Sequence, residues 1–221
     1  MNARLHAVLF DLDGTLIDSA PDLAGAGNEL RAARGLEPLP YARFRPLVGT
    51  GARGMVKVAL DVDPDHPHFI DLRDEFLARY EARMTIETEV FADVRPVLDA
   101  LRERGMPWGI VTNKARRFTT PLVKALGLDR EAVTIVSGDT TPHSKPHPAP
   151  LLEAARQMGV APEECVYVGD DLRDVQAGRA AGMRTVAASW GYLGAGEAIG
   201  QWGADHVIEL PDELLKLPGI A

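Results

Sequence analysis

Short, uninterrupted apolar runs recur along this sequence, and most of them end in an acidic or turn-forming residue. Such runs predict strands that are buried on both faces, as in parallel sheets, because a strand with one wet face alternates polar and apolar residues. Helical patterns that stop at a glycine, such as Gly105 or Gly127, lie between the runs. This alternation predicts an α/β fold with right-handed crossovers. The runs are residues 7–10, 108–111, 133–136, 166–168, 185–187 and 206–208.

One long segment interrupts the alternation of strands and helices. Between residues 17 and 85 the patterns are helical, and no convincing strand is found there. A helical segment of this length, inserted after the first strand, predicts a small second domain. We therefore expect an α/β core formed by residues 1–16 and 86–221, and an inserted helical domain formed by residues 17–85.

The composition argues against several classes of partner and site. The 221 residues include 24 Lys and Arg and 32 Asp and Glu, which gives a net charge of −8. A field of that sign repels polyphosphates, so nucleic acid is not an expected partner. The single cysteine excludes an internal disulfide and a cysteine-rich zinc site. No signal-peptide pattern is present, and no apolar run approaches the roughly 20 residues that cross a bilayer. We expect a soluble, cytoplasmic protein with no membrane partner.

Acidic residues follow two of the predicted strands at the point where each strand ends. In α/β sheets, ligands bind beyond the carboxyl ends of the strands. If the strand order is 3-2-1-4-5, the first, second and fourth strands are neighbours at the point where the order reverses. Their ends would then gather five polar side chains in one crevice. These are Asp11, Asp13, Thr112, Asp170 and Asp174.

A crevice with this set of side chains is suited to phosphate chemistry. Clustered carboxylates repel one another unless a cation joins them, and oxygen ligands without His or Cys favour Mg²⁺. A carboxylate such as Asp11 can attack phosphorus when Mg²⁺ and Lys145 offset the charge repulsion, and Thr112 can donate to a phosphoryl oxygen. The turn after Asp11, where Gly14 and Thr15 lie, predicts a nest of N–H groups that binds the phosphate of the substrate.

Four motifs together resemble those of the haloacid dehalogenase superfamily. They occur in the order typical of that family and extend over nearly the whole chain. The resemblance implies a Rossmann-like core with a helical cap domain inserted after the first strand, which would be residues 17–85. The motifs are DLDGTLIDS at 11–19, VTNK at 111–114, SKPHP at 144–148 and VGDDLRD at 168–174.

The resemblance implies that Asp11 is the nucleophile and forms an aspartyl phosphate. It implies that Asp13 is the general acid and then the base, and that its backbone carbonyl binds Mg²⁺. An acid two residues after the nucleophile favours a phosphatase, because an alkoxide leaving group must be protonated and a water molecule later deprotonated. Members of the family that cleave carbon–halogen bonds lack this acid.

The remaining motif residues take roles from the same resemblance. Thr112 and Asn113 would hold the phosphoryl group, and Lys145 would neutralise the nucleophile and the phosphate. Asp170 would bind Mg²⁺, and Asp174 would bind its waters or pair with Lys145. The expected metal-binding residues are Asp11, Asp13, Asp170 and Asp174.

The expected substrate is a small organic phosphate monoester. Within the superfamily the pattern is most similar to phosphoglycolate phosphatases, which favours 2-phosphoglycolate. It is also similar to bacterial N-acetylmuramic acid 6-phosphate phosphatases in the GAR sequence at 51–53. A sugar-phosphate mutase shares every core residue, so these three activities remain open at this point. A monomer and a homodimer are equally compatible with the sequence.

A glycine-rich turn in the inserted segment is a candidate for contact with the substrate. Residues 49–54 spell G-x-G-x-x-G, but no strand-helix-strand unit surrounds them, so a dinucleotide site is not indicated. We expect a turn between cap helices that faces the crevice, with Arg53 binding an anionic leaving group. A solvent-exposed face of the cap is the competing interpretation.

Overall fold

A six-stranded parallel sheet forms the centre of the computed structural model, which describes residues 5–194 and 196–220. Its strands are β1 (Ala7–Phe10), β4 (Trp108–Val111), β5 (Thr134–Val136), β6 (Cys165–Gly169), β7 (Arg184–Ala188) and β8 (His206–Ile208). Their order is β5-β4-β1-β6-β7-β8, so β8 extends the sheet beyond the five strands of the expected order. The predicted α/β class is confirmed. Strand β1 lies between β4 and β6, and the carboxyl ends of these three strands are therefore neighbours.

Alternate residues of β1 pack into different layers, which explains why the strand is apolar throughout. Val8 and Phe10 belong to one apolar cluster, with side chains from helices α5 (Arg95–Glu103) and α6 (Arg116–Ala125). Ala7 and Leu9 belong to another, with side chains from α7 (Ala149–Met158) and α8 (Leu172–Ala180). The sheet is thus covered on both faces. Single-turn and longer 3₁₀ helices lie at Arg45–Thr50, Leu128–Arg130, Pro162–Glu164, Ile199–Gln201 and Pro211–Lys216.

The segment after β1 is mainly helical and has its own apolar cluster. Its helices are α1 (Ala20–Ala32), α2 (Tyr41–Phe44), α3 (Gly51–Leu60) and α4 (Phe69–Arg83). Leu30, Phe44, Met55 and Phe76 are fully buried in this cluster. We call α1 to α4 the helical insert. Among the described residues, no helix combines the length and the apolar character that crossing a membrane requires.

Two short strands connect the helical insert to the sheet. Strands β2 (Ile17–Asp18) and β3 (Glu89–Val90) pair in antiparallel orientation. The sequence analysis expected no strand between residues 17 and 85, and β2 corrects this expectation. A two-residue strand depends on its distant partner and leaves no pattern of its own in the sequence. Asp22 reinforces the junction. Its buried carboxylate accepts a hydrogen bond from Glu87 N at 3.0 Å. It also accepts hydrogen bonds from the Thr88 backbone N at 2.9 Å and from the Thr88 hydroxyl at 2.7 Å.

Candidate active site

A cavity of about 470 Å³ lies between the carboxyl ends of β1, β4 and β6 and the helical insert. Its walls bring together most of the side chains that the sequence analysis selected. Three of the selected residues, Gly14, Thr15 and Arg53, do not line it. The selected residues that do are Asp11, Asp13, Thr112, Asn113, Lys145, Asp170 and Asp174.

Lys145 connects two carboxylates at the bottom of the cavity. Its Nζ lies 2.8 Å from Asp11 Oδ1 and 2.7 Å from Asp174 Oδ1, and its side chain is only 3% exposed. The same ammonium donates to Val111 O at 3.1 Å and to the Tyr167 hydroxyl at 2.8 Å. The contact with Asp11 is an ion pair that lacks the direction of a hydrogen bond, so Asp11 Oδ1 is buried without a hydrogen-bond donor. That oxygen is available to a ligand.

Burial and mutual repulsion perturb the acidic groups of the site. Burial raises the pKa of Asp11 from 3.8 to about 7; Lys145 opposes this shift and Asp174 adds to it. Burial also raises the pKa of Asp170 well above its usual value, helped by the charges of Asp11 and Asp174. Burial disfavours the Lys145 ammonium, but Asp11 and Asp174 outweigh it and raise the pKa of that lysine. The carboxylates therefore carry more negative charge than one lysine compensates.

Three carboxylates are close enough to share one cation. One oxygen each of Asp11, Asp170 and Asp174 lies within 4.8 Å of the other two. All three offer oxygen ligands, and Asp11 Oδ1 receives no hydrogen bond, so the set fits a hard cation such as Mg²⁺. The Asp174 carboxylate is already held by Lys145 and Tyr167 on one oxygen and by Asp171 N, at 3.1 Å, on the other. Asp11, whose Oδ1 receives no hydrogen bond, is thus the freest ligand of the three.

Thr15 and Gly14 contact Asp170 and not the cavity. Thr15 Oγ1 donates to Asp170 Oδ1 at 3.0 Å, and Tyr192 N donates to Asp170 Oδ2 at 2.7 Å. Gly14 has a φ of +85°, and a Cβ there would overlap the Asp170 carboxylate and lie 2.7 Å from the Tyr192 ring. Only glycine therefore allows Asp170 to approach the turn after β1. Phosphate binding by this turn stays a prediction, because the N–H groups of Gly14 and Thr15 donate within the turn.

The loop that carries Lys145 is held by a reciprocal pair of hydrogen bonds. Asn113 Nδ2 donates to Lys145 O at 3.0 Å, and Lys145 N donates to Asn113 Oδ1 at 2.9 Å. The neighbouring Thr112 is buried, and its Oγ1 accepts from Lys114 N at 3.1 Å. The Asn113 side chain thus positions the lysine loop, a role that the sequence analysis did not assign to it.

Lys114 is a site residue to which the sequence analysis assigned no role, although it lies inside the VTNK motif. Its Nζ is 2.9 and 3.0 Å from the two carboxylate oxygens of Asp13. Ser19 Oγ also donates to Asp13 Oδ1, at 2.5 Å. Burial disfavours the Lys114 ammonium, but Asp13 outweighs it and raises the pKa of Lys114. These contacts hold the Asp13 carboxylate in a single orientation beside the cavity.

Arg173, which pairs with Asp171 in the core, also contacts the segment of the helical insert around Gly49. Asp171 accepts from Arg173 N at 2.9 Å at the start of α8 and also binds the Arg173 guanidinium at 2.7 and 2.8 Å. Arg173 Nη2 donates to Gly49 O at 2.5 Å. The partners lie 124 residues apart, so no sequence pattern could indicate this contact. Arg53, four residues beyond Gly49, is exposed, and its contact with a substrate stays a prediction.

Comparisons with known proteins agree on one family. Residues 5–182 match the haloacid dehalogenase-like hydrolase family. The chain is 41% identical over 214 residues to an N-acetylmuramic acid 6-phosphate phosphatase of Pseudomonas aeruginosa, covering 97% of this chain and 95% of that protein. It is 46% identical over 210 residues to a phosphoglycolate phosphatase of Xanthomonas campestris, covering 95% and 94%.

A solved structure has the same architecture over nearly its whole length. This crystal structure is of a predicted phosphoglycolate phosphatase from Haemophilus somnus, with a TM-score of 0.85 and 27% identity; 97% of this chain and 98% of that one are covered. The sheet, the cluster at its carboxyl edge and these relatives lead to one conclusion: the chain belongs to the haloacid dehalogenase-like hydrolase family.

Proposed function

We propose that this protein is a Mg²⁺-dependent phosphatase that hydrolyses a small phosphate monoester through an aspartyl phosphate on Asp11. The observation that carries this proposal is the partly buried Asp11 carboxylate, which lies 2.8 Å from Lys145 Nζ and within reach of Asp170 and Asp174. Mg²⁺ held by Asp11, Asp170, Asp174 and the Asp13 carbonyl would supply positive charge that offsets the repulsion between nucleophile and phosphate.

In the first half-reaction an Asp11 oxygen attacks phosphorus, and the bond from phosphorus to the ester oxygen breaks. Asp13 gives its proton to the departing alkoxide, so the alcohol leaves as a neutral group. Lys145 balances the charge on the phosphoryl oxygens, and Thr112 donates to one of them.

In the second half-reaction the Asp13 carboxylate takes a proton from water as the water attacks phosphorus. The bond from phosphorus to Asp11 breaks, inorganic phosphate leaves, and Asp13 is protonated for the next cycle. The contacts from Lys114 and Ser19 hold the Asp13 carboxylate at the wall of the cavity, where it can serve in both half-reactions. The same acid therefore serves both steps.

For the substrate we propose an acidic phosphate monoester. 2-Phosphoglycolate is the first candidate, on the strength of the resemblance to phosphoglycolate phosphatases. N-Acetylmuramic acid 6-phosphate is the second, because a cavity of about 470 Å³ leaves room for a sugar. A sugar-phosphate mutase would use the same core side chains and would transfer the phosphoryl group to a second sugar.

Phosphate release from a panel of monoesters with Mg²⁺ tests the proposal. We expect release of inorganic phosphate without a bisphosphate activator, and no steady-state turnover by Asp11→Asn. Dependence on a sugar bisphosphate would instead indicate a mutase. Measurable turnover by pure Asp11→Asn would contradict the aspartyl-phosphate mechanism.

A further inference from the structure

The wall of the cavity that faces away from the catalytic carboxylates is largely apolar. It is formed by the helical insert and by the start of α6. Glycolate has two carbon atoms and no alkyl substituent that could pack against such a wall. Ligand sites of drug-sized molecules span about 300–1,000 Å³ and combine apolar walls with a few polar groups. The apolar side chains are Leu23, Val48, Phe76, Leu77 and Phe118.

Tyr80 lies within this wall and carries a buried hydroxyl whose proton no described residue accepts. The residue is 2% exposed, lines the cavity, and makes no hydrogen bond through its hydroxyl to any residue that the structure describes. Its ring is fixed by Phe118, at a centroid distance of 5.6 Å, and by Lys114 Nζ, 4.8 Å from the ring centroid. Because an unpaired buried hydroxyl is unfavourable, this group is suited to a ligand atom.

The direction of the hydrogen bond follows from the neighbour of Tyr80. The Lys114 ammonium beside the Tyr80 hydroxyl can only donate, so the phenolic proton is left to an acceptor atom of a ligand. A carboxylate or an amide carbonyl of the leaving alcohol provides such an acceptor.

Arg117 also lines the cavity, next to Phe118, and forms an ion pair with no carboxylate that the structure describes. Lys114, Lys145 and Arg173 also line the cavity, and each of them pairs with a carboxylate. Arg117 has no such pair among residues 5–194 and 196–220, and its guanidinium lies 4.3 Å from the centroid of the Phe118 ring. A planar guanidinium in this position is suited to a carboxylate of the substrate.

We propose that Tyr80 and Arg117, together with the apolar wall, form the leaving-group subsite of the phosphatase. The subsite takes the phosphate ester of a hydroxy acid that is larger than glycolate and carries alkyl or acyl substituents. Arg117 binds the carboxylate, and the Tyr80 hydroxyl donates to a carbonyl or carboxylate oxygen. This inference rests on the proposed function and, of its two candidate substrates, favours the sugar acid ester over 2-phosphoglycolate. N-Acetylmuramic acid 6-phosphate, with one carboxylate, an acetamido group and a lactyl methyl, has all of these features.

Two matched substrates, assayed with the 221-residue protein and Mg²⁺, distinguish the contributions of the parts of this subsite. N-Acetylglucosamine 6-phosphate differs from N-acetylmuramic acid 6-phosphate only by lacking the lactyl ether. We expect wild-type kcat/KM to be highest for the muramic acid ester, lower for the glucosamine ester, and lower again for 2-phosphoglycolate. A preference for 2-phosphoglycolate over both sugars would overturn the proposal.

Tyr80→Phe removes one oxygen and keeps the ring. We expect the ratio of kcat/KM for the muramic acid ester to kcat/KM for p-nitrophenyl phosphate to fall about tenfold, mainly through KM. The melting temperature should stay the same or rise, because an unpaired buried hydroxyl is removed. Tyr41→Phe, in an exposed tyrosine of α2 that does not line the cavity, is the control and should leave the ratio unchanged.

Arg117→Ala should lower kcat/KM for the muramic acid ester about tenfold or more, with a smaller effect on the glucosamine ester. Arg116→Ala is the control, because Arg116 does not line the cavity and its guanidinium donates to Thr140. Equal losses on both esters would mean that Arg117 does not bind the carboxylate. An unchanged ratio in Tyr80→Phe would likewise remove that residue from the subsite.

Binding to Asp11→Asn gives a readout that does not depend on turnover. Calorimetry with N-acetylmuramic acid 6-phosphate should show a Kd about tenfold weaker when Tyr80→Phe or Arg117→Ala is added to Asp11→Asn. Equal affinities in the three proteins would refute the subsite. If the wild type releases no phosphate from any ester but these binding differences persist, the proposed hydrolysis fails and the subsite stands.

Discussion

Replacing Asp11 by Asn should stabilise the metal-free protein at alkaline pH, although it removes the proposed nucleophile. Burial, opposed by Lys145 and reinforced by Asp174, raises the pKa of Asp11 from 3.8 to about 7. Between these pH values the folded state retains a proton on Asp11 that the unfolded state has lost. Stability therefore falls as the pH rises through this window.

The size of the effect follows from the shift in pKa. One pKa unit corresponds to about 1.4 kcal/mol, so the ionised Asp11 lowers the free energy of unfolding by about 4 kcal/mol at pH 8. At pH 5.5 the same calculation gives about 2 kcal/mol, and below about pH 4 the effect vanishes. Asparagine is uncharged throughout, so the variant should gain about these amounts over the wild type.

Urea unfolding in EDTA at pH 8 and pH 5.5 measures both differences. Mg²⁺ should reduce the difference in the free energy of unfolding between the variant and the wild type at pH 8. The reason is that Mg²⁺ binds the complete carboxylate set of the wild type more tightly than that of the variant. Asp171→Asn is a control of opposite sign. Burial opposes the ionisation of Asp171, but Arg173 outweighs it and lowers the pKa, so loss of this charge should destabilise the protein at pH 8.

A lower stability of Asp11→Asn than of the wild type at pH 8 in EDTA would refute this reasoning. It would mean that the ion pair between Lys145 and Asp11 contributes more than the burial of the Asp11 carboxylate costs.

Three further predictions concern the metal and the acid. Because Asp11 must lose its proton to bind a cation, Mg²⁺ affinity should weaken by up to about tenfold per pH unit below pH 7, and calorimetry that finds no pH dependence would exclude this competition. Asp170→Ala should raise the Mg²⁺ concentration for half-maximal activity by orders of magnitude, and an unchanged requirement would exclude it as a ligand. With p-nitrophenyl phosphate, whose leaving group needs little protonation, Asp13→Asn should slow dephosphorylation more than phosphorylation in rapid-quench experiments; equal losses would indicate a structural role.

Local sequence patterns were sufficient to predict the sheet and the position of its acidic edge. A residue such as Phe10 is buried because its strand is covered on both faces, and that condition leaves an uninterrupted apolar run in the sequence. Asp11 directly follows the first run, and Asp170 lies two residues after the run at 166–168. Their proximity therefore depends only on two paired parallel strands ending at the same edge of the sheet.

Contacts made by long side chains across the fold could not be predicted in this way. The Lys114 ammonium reaches Asp13 across 101 residues, and the Tyr80 hydroxyl comes to the cavity only through the packing of α4 against Phe118. Thr15 was expected to bind phosphate, yet its hydroxyl contacts Asp170, because the tight turn at Gly14 brings these groups together. Such contacts depend on three-dimensional packing and leave no periodic trace in the sequence.

The antiparallel pairing of β2 with β3 places the two ends of the helical insert side by side, with Ile17 opposite Val90 and Asp18 opposite Glu89. For the core, the whole insert is therefore equivalent to a loop whose two ends are held together. The entropic cost of closing a loop rises only slowly with its length, so a longer insert costs the core little stability. Insertions, deletions and even exchange of α1 to α4 can accumulate there without disturbing the sheet. A protein with this architecture can therefore change its substrate through the insert while the carboxylates at the edge of the sheet stay unchanged.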